Sequence, residues 1–231
     1  MEMKNKELVK QYCKKNGYDF SLFEAYVNLI EEKNKVMNLT GFTGDRLWEE
    51  GILESLYFMD FITCDLSDGE ILDIGAGAGF PSIPYILTQP SNHITIYEPI
   101  GKRVNFLNEV ILKLNLKDYV TVVQTRSEDI SEKNKFDLVT ARAVADIRSL
   151  LMSSFHLVKV KGKMSLIKGS KYQEEINQAS DILQKLDYSL EVFSLPGNEK
   201  LTKDNFVVEI TKYRSTPKEF PFAWKDIKKT K

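Results

Sequence analysis

The sequence predicts an α/β fold: a doubly wound, largely parallel sheet with an antiparallel edge pair and a helical N-terminal extension. Three observations predict it. From residue 70 onward, short apolar runs alternate with helix-length segments, the pattern of parallel strands joined by crossover helices. The first run, Glu70-Ile71-Leu72-Asp73-Ile74, breaks into glycines at alternate positions, Gly75, Gly77 and Gly79, and then meets Pro81. That reads as strand, tight loop and helix start. Two late strands, finally, have no helix-length segment between them, which suits an antiparallel pair.

Residues 1–66 lack strand patterns and read as the helical extension. A short helix is expected over residues 6–13. Ser21 can cap a helix carrying Leu22, Phe23, Tyr26, Val27, Leu29 and Ile30 at helical spacing. A further apolar stripe takes in Leu47, Trp48, Ile52, Leu53, Leu56, Tyr57 and Met59. The polar cluster Cys64 to Gly69 links this part to a domain over 67–213, and 214–231 form a basic tail. Within the domain, strands are expected at 70–74, 93–98, 120–124, 136–140, 163–168, 188–194 and 205–211. Helices are expected at about 81–89, through Val104 to Leu114, at 145–158, and after the 163–168 strand to about Leu186.

The 231 residues carry a net charge of −1, which excludes a nonspecific polyanion binder. Residues 212–231 hold seven Lys or Arg and two acids, leaving −6 for the rest. With Tyr213, Phe220, Phe222 and Trp224, this tail suits either contact with RNA or a solvated terminus docked by its apolar residues. Two cysteines and two histidines, far apart, make no metal site. The N-terminus is too polar for a secretory leader. The uncharged stretch 74–97 is broken by Pro81, Pro84 and Pro90, so no membrane span is read and the cytoplasm is expected. Asn38-Leu39-Thr40 then reads as a capping or turn element rather than a glycosylation sequon.

A nucleotide-like ligand belongs on the glycine loop. The dinucleotide pattern G-x-G-x-x-G fails, because Phe80 stands where the third glycine would be. A Walker loop fails for want of a Gly-Lys-Ser/Thr ending. Glu98 ends the next strand, 25 residues after Asp73. It can accept two ribose hydroxyls, at roughly 1.5–3 kcal/mol for each bond to the charged group; otherwise it is a solvated strand-end acid.

At these residues the chain resembles a known family. Asp73-x-Gly75-x-Gly77-x-Gly79, Glu98 and Ser127-Glu128 after the third strand are similar to the S-adenosylmethionine-dependent methyltransferases of the Rossmann-like class. More narrowly, the chain resembles the small-subunit (16S) ribosomal RNA guanine-N7 methyltransferases, once called glucose-inhibited division protein B. The residues that carry this are Asn38-Leu39-Thr40, Gly75-Ala76-Gly77-Ala78-Gly79-Phe80-Pro81, Gly101-Lys102-Arg103-Val104-x-Phe106-Leu107, Ala141-Arg142-Ala143 and Leu166-Ile167-Lys168-Gly169. The resemblance implies S-adenosyl-L-methionine as cofactor and ribosomal RNA, or a ribosomal particle, as partner. It implies that Gly75, Phe80, Ser127, Glu128 and Arg142 line the cofactor site; Asp73, Gly77, Gly79 and Glu98 complete the candidate set. The loop would meet the methionine moiety, with the helix N-terminus favouring its carboxylate by roughly 0.3–1 kcal/mol. Ser127-Glu128 would meet the adenine amino group, and Arg142 a carboxylate or an RNA phosphate.

Two departures stand out. The family's His-x-Leu-Asp-Ser is Gly51-Ile52-Leu53-Glu54-Ser55 here, without the histidine, and its proline-rich tail is reduced to Thr216-Pro217-Lys218-Glu219-Phe220-Pro221. Both are expected to lie away from the cofactor pocket. After the fourth strand, Thr140-Ala141-Arg142-Ala143-Val144-Ala145 has neither the Asn/Asp-Pro-Pro-aromatic segment of amine methylation nor a cysteine nucleophile. That suits guanine N7, whose lone pair is free, so no proton-transfer residue is assigned. Arg126, Arg142 and Lys168 are the candidates for RNA contact, ahead of Lys102 and Arg103. A monomer is expected. The alternatives are a methyltransferase for another RNA or a small molecule, and an inactive ribosome-binding module.

Overall fold

The computed structural model describes residues 4–229. Its centre is a seven-stranded sheet in the order β3-β2-β1-β4-β5-β7-β6. Strands β1 (Glu70–Ile74), β2 (His93–Tyr97), β3 (Val120–Val123), β4 (Phe136–Arg142) and β5 (Val158–Lys168) run parallel. β7 (Phe206–Lys212) runs antiparallel to both β5 and β6 (Tyr188–Ser194). The expected closing pair is present, and the last strand inserts beside β5, leaving β6 at the rim. β1 has β2 on one side and β4 on the other, so the strand order reverses there. In an open α/β sheet the carboxyl ends at such a reversal border the ligand crevice.

Helices cover both faces, which is why the strands read as nearly unbroken apolar runs. Side chains alternate between the faces. Ile71, Ile94 and Ile96 join Val9, Phe23, Tyr26, Ile52, Leu56, Ile83 and Leu107 in one cluster. These come from α1 (Lys4–Asn16), α2 (Phe20–Asn34), a π-helical run Leu47–Leu53 continued by α3 (Glu54–Thr63), α4 (Ser82–Ile86) and α5 (Gly101–Lys113). Leu72, Val139, Met164 and Leu166 face the other way, onto α6 (Ile147–Ser154), α8 (Ser180–Leu183) and α9 (Trp224–Lys229).

Several elements differ from expectation. The helix after the glycine loop stops at Ile86, with Gln89 at φ +57° turning the chain. The helix expected to reach Leu186 is two short ones, α7 (Tyr172–Gln178) and α8, separated by Ala179. β5 starts at Val158 because the Lys159–Gly162 stretch bulges; its register jumps from Phe136↔Val158 to Leu138↔Lys163. Asn38-Leu39-Thr40 follows the turn that ends α2, with the Leu39 and Thr40 amides donating to Asn34 Oδ1 at 3.0 and 3.1 Å. The tail is docked: Phe220 and Ile227 are buried, and Lys133 Nζ donates to the carbonyls of Thr216 and Pro217. Lys225, Lys228 and Lys229 stay exposed. Among the described residues no helix is long and apolar enough to cross a membrane, and no group of three or more His, Cys, Asp or Glu is placed to hold a metal.

Candidate functional site

The loop after β1 is pinned where it leaves the sheet, by the Gly75 amide donating to the Tyr97 carbonyl at 2.7 Å. Gly75, Gly77 and Gly79 all have positive φ (+68°, +61° and +108°), but their surroundings differ. A Cβ on Gly75 would stand 2.8 Å from Val144 Cγ2, and one on Gly79 would stand 2.5 Å from Ile83 Cγ1 and 2.8 Å from the Tyr26 hydroxyl. A Cβ on Gly77 would meet nothing nearer than the Gly75 carbonyl oxygen, 3.9 Å away. Gly79 is therefore required by packing, while Gly77 borders open space. The Tyr26 hydroxyl donates to the Ala78 carbonyl at 2.7 Å, so α2 buttresses the loop from behind.

Two carboxylates brace it. Asp73 is fully buried; its Oδ2 accepts the Ser82 hydroxyl at 2.5 Å and its Oδ1 has no hydrogen-bond partner. Burial pushes this carboxyl up to about 7, against the pull of the Ser82 bonds. Glu98 accepts the Gly77 amide at 3.0 Å on Oε2 and the Ile100 amide at 2.9 Å on Oε1. A carboxylate has about four acceptor sites, so two remain. Sequence reasoning offered Glu98 as a ribose acceptor or a solvated strand-end acid; the structure buries it and makes it the clamp that shapes the glycine loop.

Two crevices meet at this loop. The larger, about 710 Å³, is lined by Gly75, Gly77, Phe80, Arg142, Lys168 and Glu54, among others. The smaller, about 210 Å³, is lined by Glu98, Ile100, Arg126, Ser127, Glu128 and Trp224, among others. Gly75, Arg103 and the segment Ala143 to Ala145 border both. The candidate residues thus fall around two adjoining crevices, with Asp73 and Gly79 as supports behind them. Behind the wall of the smaller crevice the Ser127 hydroxyl lies 2.9 Å from that of buried Ser154, and Glu128 Oε1 is buried without a hydrogen bond, 3.7 Å from Arg126.

Arg142 ends β4 and is held on all sides. Its guanidinium pairs with Glu54 at 2.9 Å and donates to the Ser55 hydroxyl at 3.1 Å. It lies 5.6 and 5.7 Å from the ring centroids of Phe42 and Phe80. Burial lowers the arginine's pKa and raises that of Glu54, and each partner offsets only part of the other's shift. The expectation that the Gly51–Ser55 departure lies away from the pocket is therefore corrected. Glu54 and Ser55 hold Arg142, and a Cβ on Gly51 would come within 2.9 Å of Phe80 Cζ. The missed signal was an acid inside an apolar helical stripe, which needs a buried cation. Lys168 is less free than expected: it donates to the Ala145 carbonyl and to Glu175, both at 2.8 Å, tying the end of β5 to the loop after β4.

The GidB family model, described as rRNA small subunit methyltransferase G, matches residues 19–201. A ribosomal RNA small subunit methyltransferase G of Mycoplasmopsis pulmonis is 36% identical over 226 residues, covering 96% of this chain and 95% of the relative. One from Mycoplasma mobile is 42% identical over 190 residues, 79% of this chain and 83% of the relative. Among solved structures, a SAM-dependent O-methyltransferase of Thermotoga maritima aligns with a TM-score of 0.56 at 15% identity, over 84% of this chain and 73% of that one. A tRNA methyltransferase of Aquifex aeolicus aligns at 0.55 and 12% identity, over 71% and 70%. At such identities the structural likeness concerns the fold alone.

Proposed function

The chain belongs to the rRNA small subunit methyltransferase G family, and from that premise we propose that it transfers a methyl group from S-adenosyl-L-methionine to N7 of a guanine in 16S ribosomal RNA. The observation that carries this reading is the pair of crevices joined at Gly75, one beside two buried carboxylates and the other against a buried arginine.

The residues fit the cofactor. Gly77 leaves open a space that any side chain would fill, and Glu128 Oε1 is a buried acceptor waiting for a donor such as an exocyclic amino group. Glu98 keeps acceptor capacity for ribose hydroxyls. When bound, the cofactor supplies an electrophilic methyl group on a sulfonium. Guanine N7 presents a free lone pair, so the chain need not remove a proton. Its work is to position the two reactants and exclude water. Phe80 and Phe42 shield Arg142, and Arg142 supplies fixed positive charge for a carboxylate or a phosphate. Arg126 and Arg103 offer cations nearer the rim. Lys168 acts chiefly by holding the Ala143 to Ala145 segment between the crevices. The reading includes a monomer working in the cytoplasm, where small subunits mature.

The test is transfer of radiolabelled methyl from S-adenosyl-L-methionine onto isolated small ribosomal subunits and onto naked 16S RNA, followed by nucleoside mapping. N7-methylguanosine at one site is expected; label on another atom, or none on either substrate, rejects the reading.

A further inference from the structure

We propose that Trp224, on the helix after the last strand, forms the outer wall of the adenine pocket, so that the tail belongs to the cofactor site. The inference deepens the proposed function and rests on its reading that S-adenosyl-L-methionine binds here.

Eight large hydrophobic side chains are exposed among the described residues, and three of them, Ile100, Val144 and Trp224, line the same 210 Å³ crevice. Exposed apolar groups scattered singly need no explanation; gathered round a small concavity they mark a ligand site. The same crevice carries two carboxylates with buried side chains, Glu98 and Glu128, the second with an oxygen that faces Arg126 at 3.7 Å but accepts no hydrogen bond. Apolar walls with carboxylate acceptors suit a flat heteroaromatic ring that bears an amino group and is attached to a sugar. Adenosine has that chemistry.

The indole is not a loose end. The Arg126 guanidinium sits 5.1 Å from its ring centroid and 3.7 Å from Glu128, so one cation links the indole to the carboxylate. The segment is anchored by buried Phe220 and Ile227, and by the Phe222 amide donating to the Met152 carbonyl at 3.0 Å. A tail that only reached for RNA would have no need to place its tryptophan in the wall of this crevice.

The test is calorimetric titration of the full chain with S-adenosylhomocysteine. Trp224→Ala should weaken binding about tenfold, the typical effect of losing one aromatic partner of a base. Trp224→Phe should restore most of it, which a merely structural role for the indole NH would not allow. In a Trp48→Phe background Trp224 is the sole tryptophan, and its emission should change on titration. Wild-type affinity in Trp224→Ala, or an emission that ignores the ligand, overturns the proposal and leaves the proposed function standing. Weakened RNA binding with unchanged cofactor affinity also overturns it, and assigns the tail to RNA. A wild-type chain that binds no S-adenosylhomocysteine overturns this proposal and the reading beneath it together.

Discussion

The Arg142–Glu54 pair should be the most sensitive electrostatic contact in the protein. The two side chains are 9% and 8% exposed and meet at 2.9 Å, so water screens them little. Glu54→Ala leaves a buried guanidinium without its counter-charge and strips the Asn205 amide of an acceptor at 2.8 Å. Breaking one side of a buried pair costs about 3–5 kcal/mol. For a chain of this size that is a fall of roughly 6–20 °C in Tm, at about 2–4 °C per kcal/mol. Removing both charges should behave differently. Burial drives the arginine's pKa down and the glutamate's up, so desolvation opposes each charge more than the partner supports it. Glu54→Leu with Arg142→Met should therefore recover to within about 2 kcal/mol of wild type, the remainder being the Asn205 amide, left with only the Lys203 carbonyl at 3.5 Å. It should stay inactive, because the cation in the cleft is gone. Urea unfolding of wild type, both single variants and the double, with methyl transfer measured on each, tests this. If Glu54→Ala loses less than 1 kcal/mol, or if the double variant loses the sum of the singles, the pair is not the buried, mutually dependent unit described.

Three further outcomes follow from the loop. Gly77→Ala places a methyl in open space at φ +61°, so it should cost only about 1–2 kcal/mol in stability yet weaken S-adenosylhomocysteine at least about tenfold; Gly79→Ala strikes Ile83 and Tyr26 and should cost more stability than Gly77→Ala, by thermal melts. Glu98→Ala deprives the Gly77 and Ile100 amides of their acceptor and should lower calorimetric affinity about tenfold or more; unchanged affinity would remove Glu98 from the site. Asp73 titrates near 7 when folded, against 3.8 as the ordinary value. Between those pH values the folded chain therefore holds the extra proton, and stability falls as pH rises from about 4 to about 7. Asp73→Asn should flatten that slope, read as urea midpoints at pH 5 and pH 8; parallel slopes for the two proteins would rule the carboxyl out.

How much of this was legible in the sequence depended on range. Strand periodicity and the glycine loop are local, so β1 to β4, the loop and the strand-end positions of Glu98 and Arg142 could be read directly. The three glycines look equivalent in sequence. Only packing by Ile83, Tyr26 and Val144 separates the two that must be small from Gly77, which borders open space. Arg142 could be recognised as a strand-end cation, but its counter-ion comes from a helix far upstream, and no local pattern encodes that pairing. Lys168 likewise looked like a free phosphate ligand until Ala145 and Glu175 were seen to occupy its ammonium. The place of β7 between β5 and β6 was not legible, because a hairpin's alternation is satisfied on either side of a sheet edge.

The hydroxyl that Tyr26 lends to Ala78 has a consequence for engineering. The nucleotide-binding turn is not a portable cassette, since its rear support arrives from a helix outside the strand–turn–helix unit. Grafts or recombinants that exchange the leading helices while keeping the downstream sheet would have to bring a matching phenol with them, or accept a slackened binding surface.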